Sequence, residues 1–234
     1  MTVHYHRFFT EPYVFSGFFP ETFIVCDSHI FYIKIYLVRH GESEANTKSI
    51  YQGQLDTSLS TLGKEQARLV GDRFSNITDF DVLYTSDLKR AFETAQEIYR
   101  NHKHISLIKD IRLRERSHGD FEGQSHALHL YEKLTEKDGW FKKAPCGENY
   151  FDHKKRVALF LDEILKKNQN CVIVSHGGTM RILLEILLSA PKEDFYFNRD
   201  YPINNTAIFI IEIESNTVTM HVENCSKHLE NNKE

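Results

Sequence analysis

Three short polar segments hold the residue types that could do chemistry. They are Arg39-His40-Gly41-Glu42-Ser43, Ser86-Asp87 leading into Arg90, and Ser175-His176-Gly177-Gly178. Two guanidiniums and two imidazoles brought together make a site for a compact anion. The planar fork of arginine matches phosphate oxygens in pairs, and an imidazole can act as nucleophile, base or donor. Each residue alone has a plainer reading. An isolated Arg39 or Arg90 is ordinarily a surface ion pair, an isolated His176 a hydrogen-bonded core or turn residue, and Gly177-Gly178 a tight turn. The recurrence of the same chemistry at three places argues for a site.

The elements around these segments explain how they could meet. Each follows a short apolar run that reads as a strand: Tyr32–Val38, Asp81–Thr85 and Cys171–Val174. Each also precedes a helical pattern. Leu62, Ala67, Val70 and Phe74 recur near helical spacing after Ser60, a potential cap, and Leu88, Ala91, Ala95 and Ile98 mark a second helix. Val157, Phe160, Leu161, Ile164 and Leu165 mark a third, and a fourth runs through Leu188. Ile105–Ile108 is a further strand, and Ala207–Ile213 with Val218–Val222 reads as a hairpin around Ser215-Asn216. Alternating strands and helices predict an α/β fold, a three-layer α/β/α sandwich on a mostly parallel sheet. Ligands of such sheets bind beyond the carboxyl ends of the strands, where helix starts add N–H donors.

Composition narrows the function classes. The 234 residues carry 29 Lys+Arg against 33 Asp+Glu, a net charge of −4, which argues against a nucleic-acid partner. No apolar run approaches the roughly 18 residues of a membrane span. The four cysteines (Cys26, Cys146, Cys171, Cys225) are scattered, as expected of free thiols in a reducing, cytoplasmic setting. Residues 1–31 hold seven of the 17 phenylalanines and read as an aromatic extension of unknown role. Residues 32–234 read as one domain. His126 and His129 have a spacing that could serve zinc, but a solvated or substrate-facing helix is the simpler reading. Lys142-Lys143 and Lys154-Lys155-Arg156 read as exposed basic faces.

The block Leu37-Val38-Arg39-His40-Gly41-Glu42-Ser43-Glu44-Ala45-Asn46 resembles the signature of the histidine phosphatase (phosphoglycerate mutase-like) superfamily. Further blocks resemble that family in order: Gln52-Gly53 through Asp56, Leu59-Ser60, Leu62-Gly63, Ser86–Ala91, Leu113-Arg114-Glu115-Arg116, Gly119 with Phe121-Glu122-Gly123, Pro145-Cys146-Gly147-Glu148 and Val174–Gly178. The resemblance spans about residues 33–229 and implies roles by position. His40 matches the nucleophile that becomes phosphohistidine, and His176 its partner on the transferring oxygens. Arg39 and Arg90 match the phosphate clamp, with Asn46 a further donor. Glu115 matches the proton donor, and Gln52, Gly53 and Gly177 fall where the family lines its substrate pocket. Glu42, Glu44 and Glu122 are other acids in these blocks; Glu115 is preferred by its place in Leu-Arg-Glu-Arg.

The resemblance implies a small phosphorylated substrate and no cofactor or metal, because arginines supply the positive charge. Mutases of the family have a tyrosine at the place of His118, a lysine at that of His126, and a paired-arginine segment where this chain has Phe141-Lys142-Lys143-Ala144-Pro145. The phosphatase branches, in particular the fructose-2,6-bisphosphatase-like one, are the better match. The expectation is a metal-independent phosphatase of sugar or glycolytic phosphates, its pocket capped by residues 116–150, where Trp140, the histidines and the lysines would set specificity. The alternatives are a mutase-type phosphotransferase and a catalytically weak module that binds a phosphorylated ligand.

Overall fold

A computed structural model describes residues 32–232, apart from 135–139, 192–193, 197, 199 and 216. The aromatic extension 1–31, Cys26 within it, and Asn216 of the hairpin turn lie outside the described residues.

Six strands form one sheet in the order β3-β2-β4-β1-β5-β6. They are β1 (Tyr32–Arg39), β2 (Val82–Thr85), β3 (Ser106–Lys109), β4 (Cys171–Ser175), β5 (Ile208–Glu214) and β6 (Thr217–Cys225). β1 to β4 run parallel, whereas β5 and β6 form the antiparallel hairpin, β5 pairing antiparallel with β1. The apolar runs of β1, β2 and β4 have no polar alternation because both faces are covered. Ile35, Leu37, Tyr84 and Ile173 pack toward α4 (Tyr150–Lys166) and α5 (Gly177–Leu187). Tyr36, Val38, Leu83, Val172 and Val174 pack toward α2 (Thr61–Phe74) and α3 (Lys89–Tyr99). The result is the three-layer α/β/α sandwich. A four-residue helix, α1 (Glu44–Thr47), has no apolar period to announce it and is held by a reciprocal cap between Ser43 and Asn46.

Pairing register brings the three polar turns together. Arg39 lies opposite Ser175, and Thr85 opposite Val174, so β2, β4 and β1 end side by side. The helices that follow are anchored at their starts. Ser60 caps α2 through the Gly63 N–H, and Asp56 Oδ1 accepts the Lys89 N–H at 2.7 Å where α3 begins without a cap of its own. Leu62 is 54% exposed, contrary to its apolar spacing. Gly63 turns inward instead, because a Cβ there would collide with the Glu42 carbonyl.

Candidate active site

His40 stands just past the end of β1, 3% exposed. Its backbone is fixed on several sides. The His40 N–H donates to Ser175 O (3.0 Å), Asn205 Nδ2 donates to His40 O (2.9 Å), and the Gly41 N–H donates to Thr94 Oγ1 (3.1 Å). Gly41 lies so close to the Gly63 carbonyl that any side chain would separate the loop from α2. His40 Nδ1 lies 2.6 Å from Gly41 O. A carbonyl oxygen only accepts, so Nδ1 carries the proton and Nε2 keeps a bare lone pair.

His176 ends β4 and begins α5, fully buried, its ring centroid 5.1 Å from that of His40 with the planes tilted by 59°. Neither of its ring nitrogens has a hydrogen-bond partner among the described residues, and the same is true of Arg39 Nε and Arg90 Nε. Buried polar atoms left open in this way are rare in folded proteins. Arg39 is held by its Nη1 donating to Ile203 O (2.5 Å). Arg90 is 1% exposed, its Nη1 donating to Leu55 O (2.9 Å) and its Nη2 to Gly53 O (2.8 Å).

Glu115 reaches the same place from the segment after β3. Its Oε2 accepts the Gly178 N–H (2.8 Å) at the start of α5, and its Oε1 accepts the Arg116 N–H (2.8 Å). Gly178 permits this contact, since a Cβ would strike Glu115 Oε1. The other acids are engaged elsewhere. Glu42 accepts from Ser60 Oγ (2.7 Å), Glu44 is exposed in α1, and Glu122 Oε1 takes the N–H groups of Gln54 (2.8 Å) and His118 (3.0 Å). Asn46 is exposed and spends its Oδ1 on the Ser43 N–H. Gln52 is tied to Ser43 and Thr57, Gly53 feeds Arg90, and Gly177 faces the Arg39 guanidinium.

Residues 35–226 match the model of the histidine phosphatase superfamily, branch 1. The chain belongs to that family. This phosphatase is 34% identical to phosphoserine phosphatase 1 of Hydrogenobacter thermophilus over 209 residues, 84% of this chain and 94% of the relative. It is 30% identical to a broad-specificity phosphatase of Saccharomyces cerevisiae over 188 residues, covering 77% and 79%. Among solved structures, a phosphoserine phosphatase of Entamoeba histolytica, in complex with 3-phosphoglyceric acid, superposes with a TM-score of 0.70 at 27% identity, covering 84% of this chain and 99% of that one. No helix among the described residues is long and apolar enough to cross a membrane.

Electrostatics in the phosphatase keep the imidazoles neutral. Burial, then the Arg90 and Arg39 charges, push His40 well below its usual value of about 6.5; burial, Arg90 and His40 do the same to His176. Burial also lowers Arg90 to about 10, opposed by the nearby Glu115 carboxylate. His153 on α4, fully buried and bonded to Thr179 Oγ1 (2.9 Å), is likewise depressed. In the unfolded chain each of these histidines titrates near about 6.5. Below that pH the unfolded state binds more protons than the native state, so stability is complete above about pH 6.5 and is lost as pH falls. Urea midpoints are expected to drop steeply between about pH 6.5 and 5, each histidine contributing up to about 1.4 kcal/mol per pH unit. Midpoints that stay flat across this window would show these rings to be solvated.

The segment 116–150 contains short 3-10 turns at Gly119–Phe121, His126–Leu128 and Leu130–Lys133. Tyr51 gathers its rings, with centroids at 4.4 Å for His126 and 5.7 Å for both His118 and Tyr131. His126 thus turns onto Tyr51, while His129 faces Glu132 (3.9 Å). Trp140 packs on the core beside Tyr150 and Phe151.

Sequence reasoning missed several residues around this site. Thr94 lies one turn after Arg90 and takes the Gly41 N–H, a spacing that was there to be read. Arg181, a lone cation in an otherwise apolar stretch of α5, donates to the carbonyls of Phe195, Asn198 and Tyr201. The largest correction concerns Arg156. It belongs to no exposed basic face: its side chain is 17% exposed and paired with Glu148 at 2.7 Å. Its neighbour Lys154 pairs with the buried Glu185 at 2.6 Å.

Proposed function

We propose that this phosphatase hydrolyses small phosphomonoesters through a phosphohistidine formed at His40 Nε2. The observation that carries the reading is the bare Nε2 of a neutral His40, together with the unpartnered ring nitrogens of the adjacent His176 and the unpartnered Nε atoms of Arg39 and Arg90. His40 Nε2 attacks phosphorus as the ester P–O bond breaks. The charge on the three equatorial oxygens is met by Arg39, Arg90 and His176. Glu115 hands its proton to the departing alkoxide, releasing the alcohol. Its carboxylate then takes a proton from water as that water attacks phosphohistidine. Inorganic phosphate leaves, and His40 and Glu115 return to their starting forms. In this reading Asn46 is a further donor to the phosphate, and Gln52, Gly53 and Gly177 face the substrate.

The substrate expected from sequence was a sugar or glycolytic phosphate. The relatives named for phosphoserine support instead a compact three-carbon amino-acid ester, within the broader class of small phosphomonoesters. Arg116, which follows Glu115 and lies 5.0 Å over the Tyr131 ring, is a second cation next to the proposed acid and in this reading meets a second anionic group of the substrate. The free thiols of Cys146, Cys171 and Cys225 fit a reducing, cytoplasmic setting.

The test is phosphate release across phosphoserine, 3-phosphoglycerate, fructose bisphosphates, nucleotides and phosphopeptides, with acid-labile 32P trapped on the protein. Transfer of the label to a second sugar or glycerate in place of release to water would make the protein a mutase. Binding without turnover would make it a binding module. Glu115→Gln is expected to lower kcat on alkyl phosphates by about 10²–10³-fold while sparing p-nitrophenyl phosphate, whose leaving group needs little proton help. Equal losses on the two substrates would remove Glu115 as the acid.

A further inference from the structure

The Pro145-Cys146-Gly147-Glu148 block and Arg156 have no part in the chemistry above, yet they converge on the segment that carries Glu115. That segment leaves β3 through a 3-10 turn at Ile111–Leu113, after which residues 114–118 have no regular structure. Its backbone groups therefore need partners from elsewhere. Side chains of α4, β4 and α5 provide them. Arg156 Nη1 donates to Arg112 O (2.8 Å) and Arg114 O (2.6 Å), and Nη2 to Glu115 O (2.7 Å). Ser175 Oγ donates to Leu113 O and Thr179 Oγ1 to Arg114 O, both at 2.8 Å.

Glu148 completes the arrangement from the turn before α4. Its carboxylate receives Arg156 Nε (2.7 Å) and Nη2 (2.8 Å), a two-pronged pair, and Oε2 also accepts the Ser117 N–H (2.9 Å). The Glu148 N–H in turn donates to Ser117 O (3.0 Å). Both side chains are more than four-fifths covered, which favours a defined geometry over a mobile surface pair. The carbonyls of 112, 114 and 115 and both backbone groups of 117 are thus fixed by one ion pair. The residue held in the middle is the one whose carboxylate must meet a departing oxygen.

We propose that the Glu148–Arg156 pair is a positioning device for Glu115, setting the backbone from which its carboxyl group reaches the leaving oxygen. This rests on the reading of Glu115 as the proton donor. Neither residue touches the substrate; both act through the backbone. Lysine at 156 keeps the charge but cannot reach three carbonyls and a carboxylate at once.

The test compares kcat and KM for phosphoserine and p-nitrophenyl phosphate in the full-length protein. In Arg156→Ala, a displacement of Glu115 by about 1 Å is expected to lower kcat on the alkyl ester by about 10²-fold, with KM and aryl turnover changed less than about threefold. Arg156→Lys should recover little of it. Glu148→Gln, which keeps the shape of the turn, should show the same alkyl-selective loss at about tenfold and serves if Arg156→Ala does not fold. In a Glu115→Gln background the Arg156 substitution should add no further selectivity, because the acid it positions is gone. Equal losses on both esters in Arg156→Ala and Glu148→Gln, with Glu115→Gln still alkyl-selective, overturn the positioning role alone. Equal losses in Glu115→Gln overturn the acid itself.

Discussion

Replacing His40 by alanine is expected to lower kcat on every phosphomonoester by at least about 10⁴-fold and to abolish the trapped phosphoenzyme. The size of the loss follows from the geometry. On the proposed mechanism His40 Nε2 is the attacking nitrogen; it is left bare by the Nδ1 bond to Gly41 O and stands with the unpartnered Arg39 Nε, Arg90 Nε and His176 ring, and the neighbouring His176 has no backbone bond to fix its tautomer. Removing the ring leaves Arg39, Arg90 and His176 in place, so phosphate should still bind, with an inhibition constant within about an order of magnitude of the parent's. The variant thereby separates binding from chemistry. It should also lose less stability on acidification, because a buried ring that resists protonation is gone. Quench-flow with 32P-labelled substrate gives the decisive reading. Label that remains bound to the His40→Ala protein in acid-labile form would place the nucleophile elsewhere, and the neighbouring His176 would be the first to examine.

The meeting of these residues was legible in the sequence because they sit where local rules are strongest. Arg39-His40, Arg90 and His176-Gly177-Gly178 each occupy the boundary of a short apolar strand and a helix, and an α/β sheet delivers such boundaries to one edge. The pairing of β4 with β1 on one side and with β2 on the other is the step that brings three separate motifs to one edge of the sheet. What the sequence hid was tertiary in origin. Arg156 looks like the end of a basic run, and only the fold turns its side chain away from Lys155 and onto Glu148 and the carbonyls before Ser117. The 3-10 turns from Gly119 to Lys133 are too short to carry a hydrophobic period, so their arrangement around Tyr51 is set by ring packing that no spacing announces. Leu62 failed for a related reason. At the start of α2 the close approach of Gly63 to Glu42 decides which face turns inward, and the leucine is left outside.

Arg90→Ala is expected to reduce kcat/KM by about 10³-fold, with phosphate inhibition weakened in parallel, because on the proposed mechanism one side chain both clamps the phosphoryl group and holds the loop beside it. Arginine has five N–H groups. The carbonyls of Gly53 and Leu55 take two of Arg90's, and Nε is among those left for the ligand. Asp56 of the same loop holds the start of α3, and Glu93 takes the Leu59 N–H, so the loop is stitched to the helix that carries Arg90. Removing the guanidinium frees two carbonyls and a turn of the pocket wall together with the charge. Lysine at this position restores a positive charge but not the fork, and Arg90→Lys should therefore regain phosphate affinity more than it regains kcat. That split distinguishes a clamp from a simple attractor of anions: an attractor would be rescued equally in both constants. Kinetics within about threefold of the parent in Arg90→Ala would mean that the buried guanidinium serves only the loop, and that Arg39 and His176 meet the transferring oxygens without it.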